Sequence, residues 1–246
     1  MNYWDFPRCR EAFARGQKDA RPEVIDGCYY RRRGVNHQHM TLLSFDHPEE
    51  AWEQLGRLKW NGVRVQSVNY TSLEPGLPIR KGLVEWEVTD APAVFGATTG
   101  RAGRRLRWLA KQGTVELHPS WEEASRVFSV WAEWAKERHF MVFKGHYLKW
   151  LGMFYEDPGA CHLIGIRVNG VVEGLFGWET WDKPGDRLAQ ITIAKHTPAL
   201  EGKALWVLGL QAIGPGKILC GSTADKLKSE LGLSSKPSWM FDLSKL

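Results

Sequence analysis

Acid–base chemistry needs side chains that exchange protons at a fixed place, and two carboxylates in this chain are spaced for it. Glu173 and Glu179 stand six residues apart in the apolar run Val171–Trp181. An even separation on a strand puts both on one face, as it does for Gln190 and Thr192 in the next run. Such a pair suits a base that takes a proton from an ammonium nucleophile, while a solvated face of Glu–Lys pairs is the plainer reading. Ser222 follows the run ending at Cys220. A leaving-group donor would sit there, and so would an N-cap for the following helix.

A second set is built for anions. Arg101, Arg104, Arg105 and Trp108 recur at i, i+3, i+4 and i+7, Lys111 follows, and no acid interrupts Arg101–Lys111. A cationic helix face carrying an indole suits phosphates and a stacked base, in tRNA or DNA, although a solvated basic face has the same pattern. His37, His39, Asp46 and His47 contain a His-x-His pair but no fixed third ligand, so no metal is expected. Lys195-His196 closes an apolar run and is read either as donor-facing or as a plain loop.

Composition sets the bounds. The 246 residues are 43% hydrophobic and 25% charged, which excludes disordered and collagen-like chains. The longest stretch without a charged residue or His is Ala204–Gly216, too short to span a bilayer. With no secretory leader pattern, a cytoplasmic protein is expected. Cys9, Cys28, Cys161 and Cys220 lie far apart, without metal or redox spacing. A net charge of +5 favours anionic partners. Most of the 13 Trp are expected in the core.

The elements that must carry these residues follow from periodicity. Small, turn-prone residues over 91–103 suggest a boundary between an α/β segment, 1–98, and a second domain, 99–246. Before it, Met40–Phe45 and Val63–Val68 read as strands, and Asp46–Glu49 opens a helix to Leu58. Val24–Asn36 reads either as strand and turn or as a basic loop. After it come a helix over Arg101–Gln112, a strand Val115–His118, and a helix opened by the capping box Ser120–Glu123. The apolar stripe of that helix is Ala124, Val127, Phe128, Trp131, Trp134 and Ala135. A helix His146–Phe154 precedes the Asn169-Gly170 hairpin between Cys161–Val168 and Val171–Trp181. A strand Leu188–Ala194, a helix Leu200–Ile213, a strand Lys217–Cys220, a helix Ala224–Leu231 and a strand Trp239–Leu243 complete the chain.

This order, together with the hairpin Ile164–Gly174, the strand–loop–helix Ile191–Leu205 and the late Lys228–Leu233, resembles the GCN5-related N-acetyltransferase (GNAT) superfamily over Val115–Leu246. Val84–Val88 followed by Gly100–Gly113 is similar to the basic helix joining the paired GNAT-like halves of phosphatidylglycerol lysyltransferases and Fem-type aminoacyl transferases. The resemblance implies an α+β fold: a mixed, mostly antiparallel sheet flanked by helices, with residues 1 to 100 as a trimmed first half. It implies a transferase that moves an acyl or aminoacyl group from acetyl-CoA, another acyl-CoA or an aminoacyl-tRNA to an amine. Glu173 or Glu179 would be the base, Ser222 the leaving-group donor, and the backbone of Ile193, Ala194 and Lys195 would polarise the carbonyl. Gly202, Lys203 and Ala204 would face donor phosphates. The glycine-rich phosphate loop is reduced here to Gly202, and Glu201 stands beside it, which counts against CoA. The alternatives are modification of a nucleic-acid base on the same fold, or a non-catalytic nucleic-acid-binding protein on a decayed GNAT scaffold.

Overall fold

The computed structural model describes residues 21–25, 28–33, 39–45, 64–67, 79–138, 144–156, 158–159, 161–183, 186–220 and 226–241. The chain divides into two compact units: Met1–Trp86 with Ser222–Ala224 and Ser235–Leu246, and Glu87–Gly221 with Asp225–Ser234. In the first, strands β1 (Arg21–Ile25), β2 (Cys28–Arg33), β3 (His39–Phe45) and β4 (Arg64–Ser67) form a sheet in that order. Val24–Asn36, readable two ways in sequence, is thus largely an antiparallel strand pair, β1 with β2. The helix expected after Asp46 lies outside the described residues.

The remaining elements follow the expected GNAT-like order; residues 79–86 and 235–241 among them belong to the first unit and the rest to the second. Strand β5 (Ile79–Asp90) leads into helices α1 (Ala91–Ala97) and α2 (Gly100–Leu109), then β6 (Thr114–Leu117), α3 (Trp121–Glu137) and α4 (Lys144–Glu156). Strands β7 (Cys161–Val168), β8 (Val171–Lys183) and β9 (Asp186–His196) follow, then α5 (Gly202–Ile213), β10 (Pro215–Leu219), α6 (Lys226–Glu230) and β11 (Ser234–Phe241). The sheet order is β11-β5-β10-β9-β8-β7-β6. All its pairs from β5 to β6 are antiparallel except β9–β10, which the α5 crossover makes parallel.

Local chemistry accounts for these elements. Ser120 accepts a hydrogen bond from the Glu123 N–H while the Glu123 carboxylate accepts one from Ser120 N–H, a complete capping box. Asn169 and Gly170 both adopt positive φ, 48° and 82°, as a two-residue hairpin turn between right-twisted strands requires. The small residues at 91–97 form a helix rather than a turn because Ala91 and Phe95, one turn apart, are both buried.

Two layers of helix cover the sheet. Ala124, Val127 and Phe128 of α3 and Leu151 and Phe154 of α4 pack with Cys161, Leu163, Val172, Leu175 and Ile193 on one face. Of the expected stripe Trp131 and Trp134 are only half buried, Trp131 packing against this core, and Ala132 is buried as well. On the other face α5 approaches so closely that a Cβ at Gly209 would lie 2.3 Å from the Phe176 ring. Gly209→Ala is therefore expected to destabilise the protein by about 1–3 kcal/mol through overpacking. Urea unfolding would check this; an unchanged midpoint would mean that α5 is not seated on Phe176.

Candidate functional site

The site is organised by a fork in the sheet. Among the described residues β10 pairs with β9 only as Lys217↔Leu188, Ile218↔Ala189 and Leu219↔Gln190, whereas β9 continues to His196. Just past the last pair, β9 bulges: Trp178 opposes Ile191 and Gly177 opposes Ile193, leaving Thr192 as the extra residue. Its hydroxyl donates to the Gly177 carbonyl at 3.3 Å. The strand segment Ile193–Lys195, expected to polarise a carbonyl, lies beyond the fork.

Register places Glu179 at the branch point. The row Glu87–Leu219–Gln190–Glu179–Cys161 crosses five strands, and directly opposed residues share a face. Cys161 belongs to the core under α3 and α4, so Glu179 and Gln190 lie on that face, both buried. The Gln190 amide donates to the Ile191 carbonyl at 2.9 Å, and Glu87 is ion-paired with Lys217 at 3.2 Å. A carboxylate 4% exposed is not the solvated hairpin residue of the plainer reading.

Glu173 is placed differently. Its carboxylate accepts from the Thr197 hydroxyl and lies 3.4 Å from the Arg126 guanidinium of α3. Six residues of strand separate it from Glu179, roughly 20 Å. The structure does not bring the two carboxylates together.

Basic and aromatic groups gather at the far end of β9. Lys195 Nζ sits 4.1 Å from the Trp131 ring centre, and the His196 ring lies 5.8 Å from Trp134, which Arg138 also covers at 4.2 Å. Burial lowers the Lys195 ammonium to about 8. The His196 Nδ1 and the Thr197 carbonyl are 2.8 Å apart. Periodicity put Trp131 and Trp134 in the apolar set of α3 and gave no sign of this wall; the usable signal was their large amphipathic rings.

The start of α5 bears on any phosphate group. Glu201 is its N-cap residue, without a side-chain capping bond, and the carboxylate accepts from Arg105 of α2 at 2.6 Å. Lys203 is ion-paired with Glu230, and Ala204 is buried. Gly202 lies against the His196 ring. A carboxylate at the helix N-terminus, with both nearby cations already paired, does not fit a pyrophosphate such as that of CoA.

Helix α2 presents its cations outward. Arg101, Arg104, Arg105, Arg107 and Lys111 are exposed, Trp108 is 46% exposed, and Arg105 lies 4.1 Å over the Trp108 ring. Leu109 and Gly103 are buried on the opposite side. Ser222 lies outside the described residues, as do His37, Asp46 and His47, and the side chain of His39 is not described. Among the described residues no group of three His, Cys, Asp or Glu could hold a metal. Cys220 is buried, and burial pushes its thiol up to about 12.

The forked mixed sheet with helices on both faces defines a GNAT-like fold. No protein-family model matches the sequence, and no curated protein matches it in sequence. In three dimensions the chain is similar to the C-terminal domain of a protein from Agrobacterium fabrum assigned as a lysylphosphatidylglycerol synthetase, with a TM-score of 0.64 and 13% identity over 98% of this chain and 86% of that one. It is likewise similar to L-PGS from Bacillus licheniformis, with a TM-score of 0.64 and 13% identity over 98% and 92% of the two chains. The third is FemX, with a TM-score of 0.62 and 9% identity over 96% and 91%. At these identities the likeness is one of fold.

Lys195 yields a test of the site's dryness. Its folded value is about 8 against an ordinary 10.5, so between these the unfolded chain binds more protons and the lysine's contribution to stability rises with pH. The stability of the parent minus that of Lys195→Met should be flat below pH 8 and climb from 8 to about 10.5. Denaturant titrations across that range would check it, and a flat difference would mean that the ammonium is hydrated. Taking the difference cancels Cys220 and Tyr155, both raised to about 12 by burial, which oppose the trend at high pH.

Proposed function

We propose that this chain is a GNAT-fold transferase that joins an acyl or aminoacyl group to an amine, taking the group from an ester carried on a nucleic acid, with aminoacyl-tRNA as the donor class. The observation that carries the reading is the fork, where a strand edge runs on from Gln190 to His196 with the buried Glu179 beside its branch point. Glu179 takes one proton from the acceptor's ammonium, and the freed nitrogen attacks the ester carbonyl carbon. The backbone of Ile193–Lys195 stabilises the resulting oxyanion. Collapse breaks the ester C–O bond and forms the amide; the second amine proton leaves with the alcohol, for which Ser222 is the proposed relay. No covalent enzyme intermediate is needed.

Support for a nucleic-acid-borne donor comes from the charges. The α5 N-terminus is disfavoured for a diphosphate, while the exposed cationic face of α2 adjoins that same helix end through the Arg105–Glu201 ion pair. A polyanion lying on α2 would bring its end toward the fork. Lysylphosphatidylglycerol synthetase and FemX among the structural neighbours agree with a transferase reading. The second reading, a nucleic-acid base modifier or a non-catalytic nucleic-acid binder, is favoured by the same exposed face.

Two measurements separate these. In an assay of amide formation from mixed aminoacyl-tRNA and a panel of amines, Glu179→Gln is expected to lower turnover by about 10²- to 10⁴-fold with tRNA binding unchanged. Retained turnover would remove Glu179 from the base role, and tRNA binding without turnover in the parent would favour the second reading. For binding, tRNA affinity should fall steeply between about 50 and 200 mM salt. Replacing Arg101 and Arg104 by Gln should make the log–log slope shallower by roughly 0.9 for each phosphate that is no longer neutralised. A stabilising response to CoA, with none to tRNA, would reverse the choice of donor.

A further inference from the structure

We propose that Glu173 is a positioning residue that anchors the β9–α5 loop, Thr197–Glu201, with Arg126 as its counter-ion, rather than a proton acceptor. The inference rests on the reading above in one respect: this loop connects the donor-facing edge of β9 to α5.

The geometry begins at a bulge. In the β7–β8 pairing Ile166 opposes Gly174 and Arg167 opposes Val172, so Glu173 is the unpaired extra residue of β8. A bulge of this kind re-aims a side chain out of the regular alternation. Glu173 then holds Thr197 from two sides. Its carboxylate accepts from the Thr197 hydroxyl, and its carbonyl accepts from the Thr197 N–H at 2.9 Å. Arg126 completes the group: its Nη2 lies 3.4 Å from the same carboxylate oxygen and also donates to the Val172 carbonyl.

Thr197 passes the constraint onward. It is 2% exposed; its hydroxyl accepts from Ala199 N–H at 3.3 Å and its carbonyl from Leu200 N–H at 3.2 Å. Leu200 is buried over Gly174, where a Cβ would come within 2.5 Å of it, so the loop folds back onto the bulge that anchors it. Glu201 then ends the loop, with its carbonyl accepting from Ala204 and Leu205 N–H at 2.9 and 3.1 Å. The loop's course between β9 and α5 is thus set at Glu173 by its carboxylate and its carbonyl together, with Leu200 seated on Gly174. A base, by contrast, has to face the acceptor nitrogen at the fork, six residues along the strand.

Amide hydrogen exchange over residues 197–203 of the full chain tests the anchor without any substrate. Glu173→Ala and Thr197→Val should each speed exchange there about tenfold, with the double variant no faster than either single one, because both remove one shared interaction. Glu179→Gln should leave it unchanged. In the transfer assay both anchor variants should raise KM for aminoacyl-tRNA about fivefold with kcat within a factor of two and the pH profile unmoved. Unaltered exchange in Glu173→Ala, or loss of kcat together with the acidic limb of the profile in Glu173→Ala but not in Thr197→Val, would overturn the proposal. Faster exchange in a protein that shows no transfer would uphold the anchor and reject the transferase reading instead.

Discussion

The parallel pairing between β9 and β10, and its end at Gln190–Leu219, is the constraint on which the site depends. Parallel strands need a crossover, and α5 supplies it, packed onto Phe176 closely enough that position 209 must lack a side chain. Among the described residues β9 and β10 share only three paired positions, and β9 continues beyond them alongside β8. The Thr192 bulge falls just beyond the last pair and re-sets the alternation of the free segment. The arrangement thus places buried polar side chains at the closed end of the fork and a strand edge at the open end.

Charge in this unit is arranged to leave one surface unbalanced. Arg167 is bound by Glu116 and Glu123, Lys203 by Glu230, Lys217 by Glu87, and Arg126 by Glu173. Helix α2 has no acid of its own, and among the described residues Arg105 alone of its exposed cations reaches a carboxylate, Glu201. A field from such a face acts at longer range than any of the pairs and is the part that salt screens. The same Arg105 also stacks on Trp108, so it links the exposed face to the beginning of α5.

Features set by adjacent residues were legible in the sequence. The Ser120–Glu123 capping box and the Asn169-Gly170 turn each follow from groups within a few positions of one another, and both stand as read. The order of helices and strands from β6 onward followed from periodicity, with ends shifted by a few residues. The placing of Glu173 was not legible, because parity counting assumes an uninterrupted strand and the bulge is set by the partner strand β7. Its partners Arg126 and Thr197 come from a helix before the hairpin and a loop after it. Trp131 and Trp134 fit the helical stripe by spacing, but spacing does not tell the middle of a buried face from its flank.

The two carboxylates therefore carry different burdens despite their even spacing along one strand. Glu179 sits in an unbroken row across five strands, where its position follows from register and is as rigid as the sheet. Glu173 sits where register fails, and its oxygens and carbonyl hold a loop to the sheet. Even spacing along one strand thus conceals a difference in what places each carboxylate: sheet register at 179, and a bulge with its loop contacts at 173.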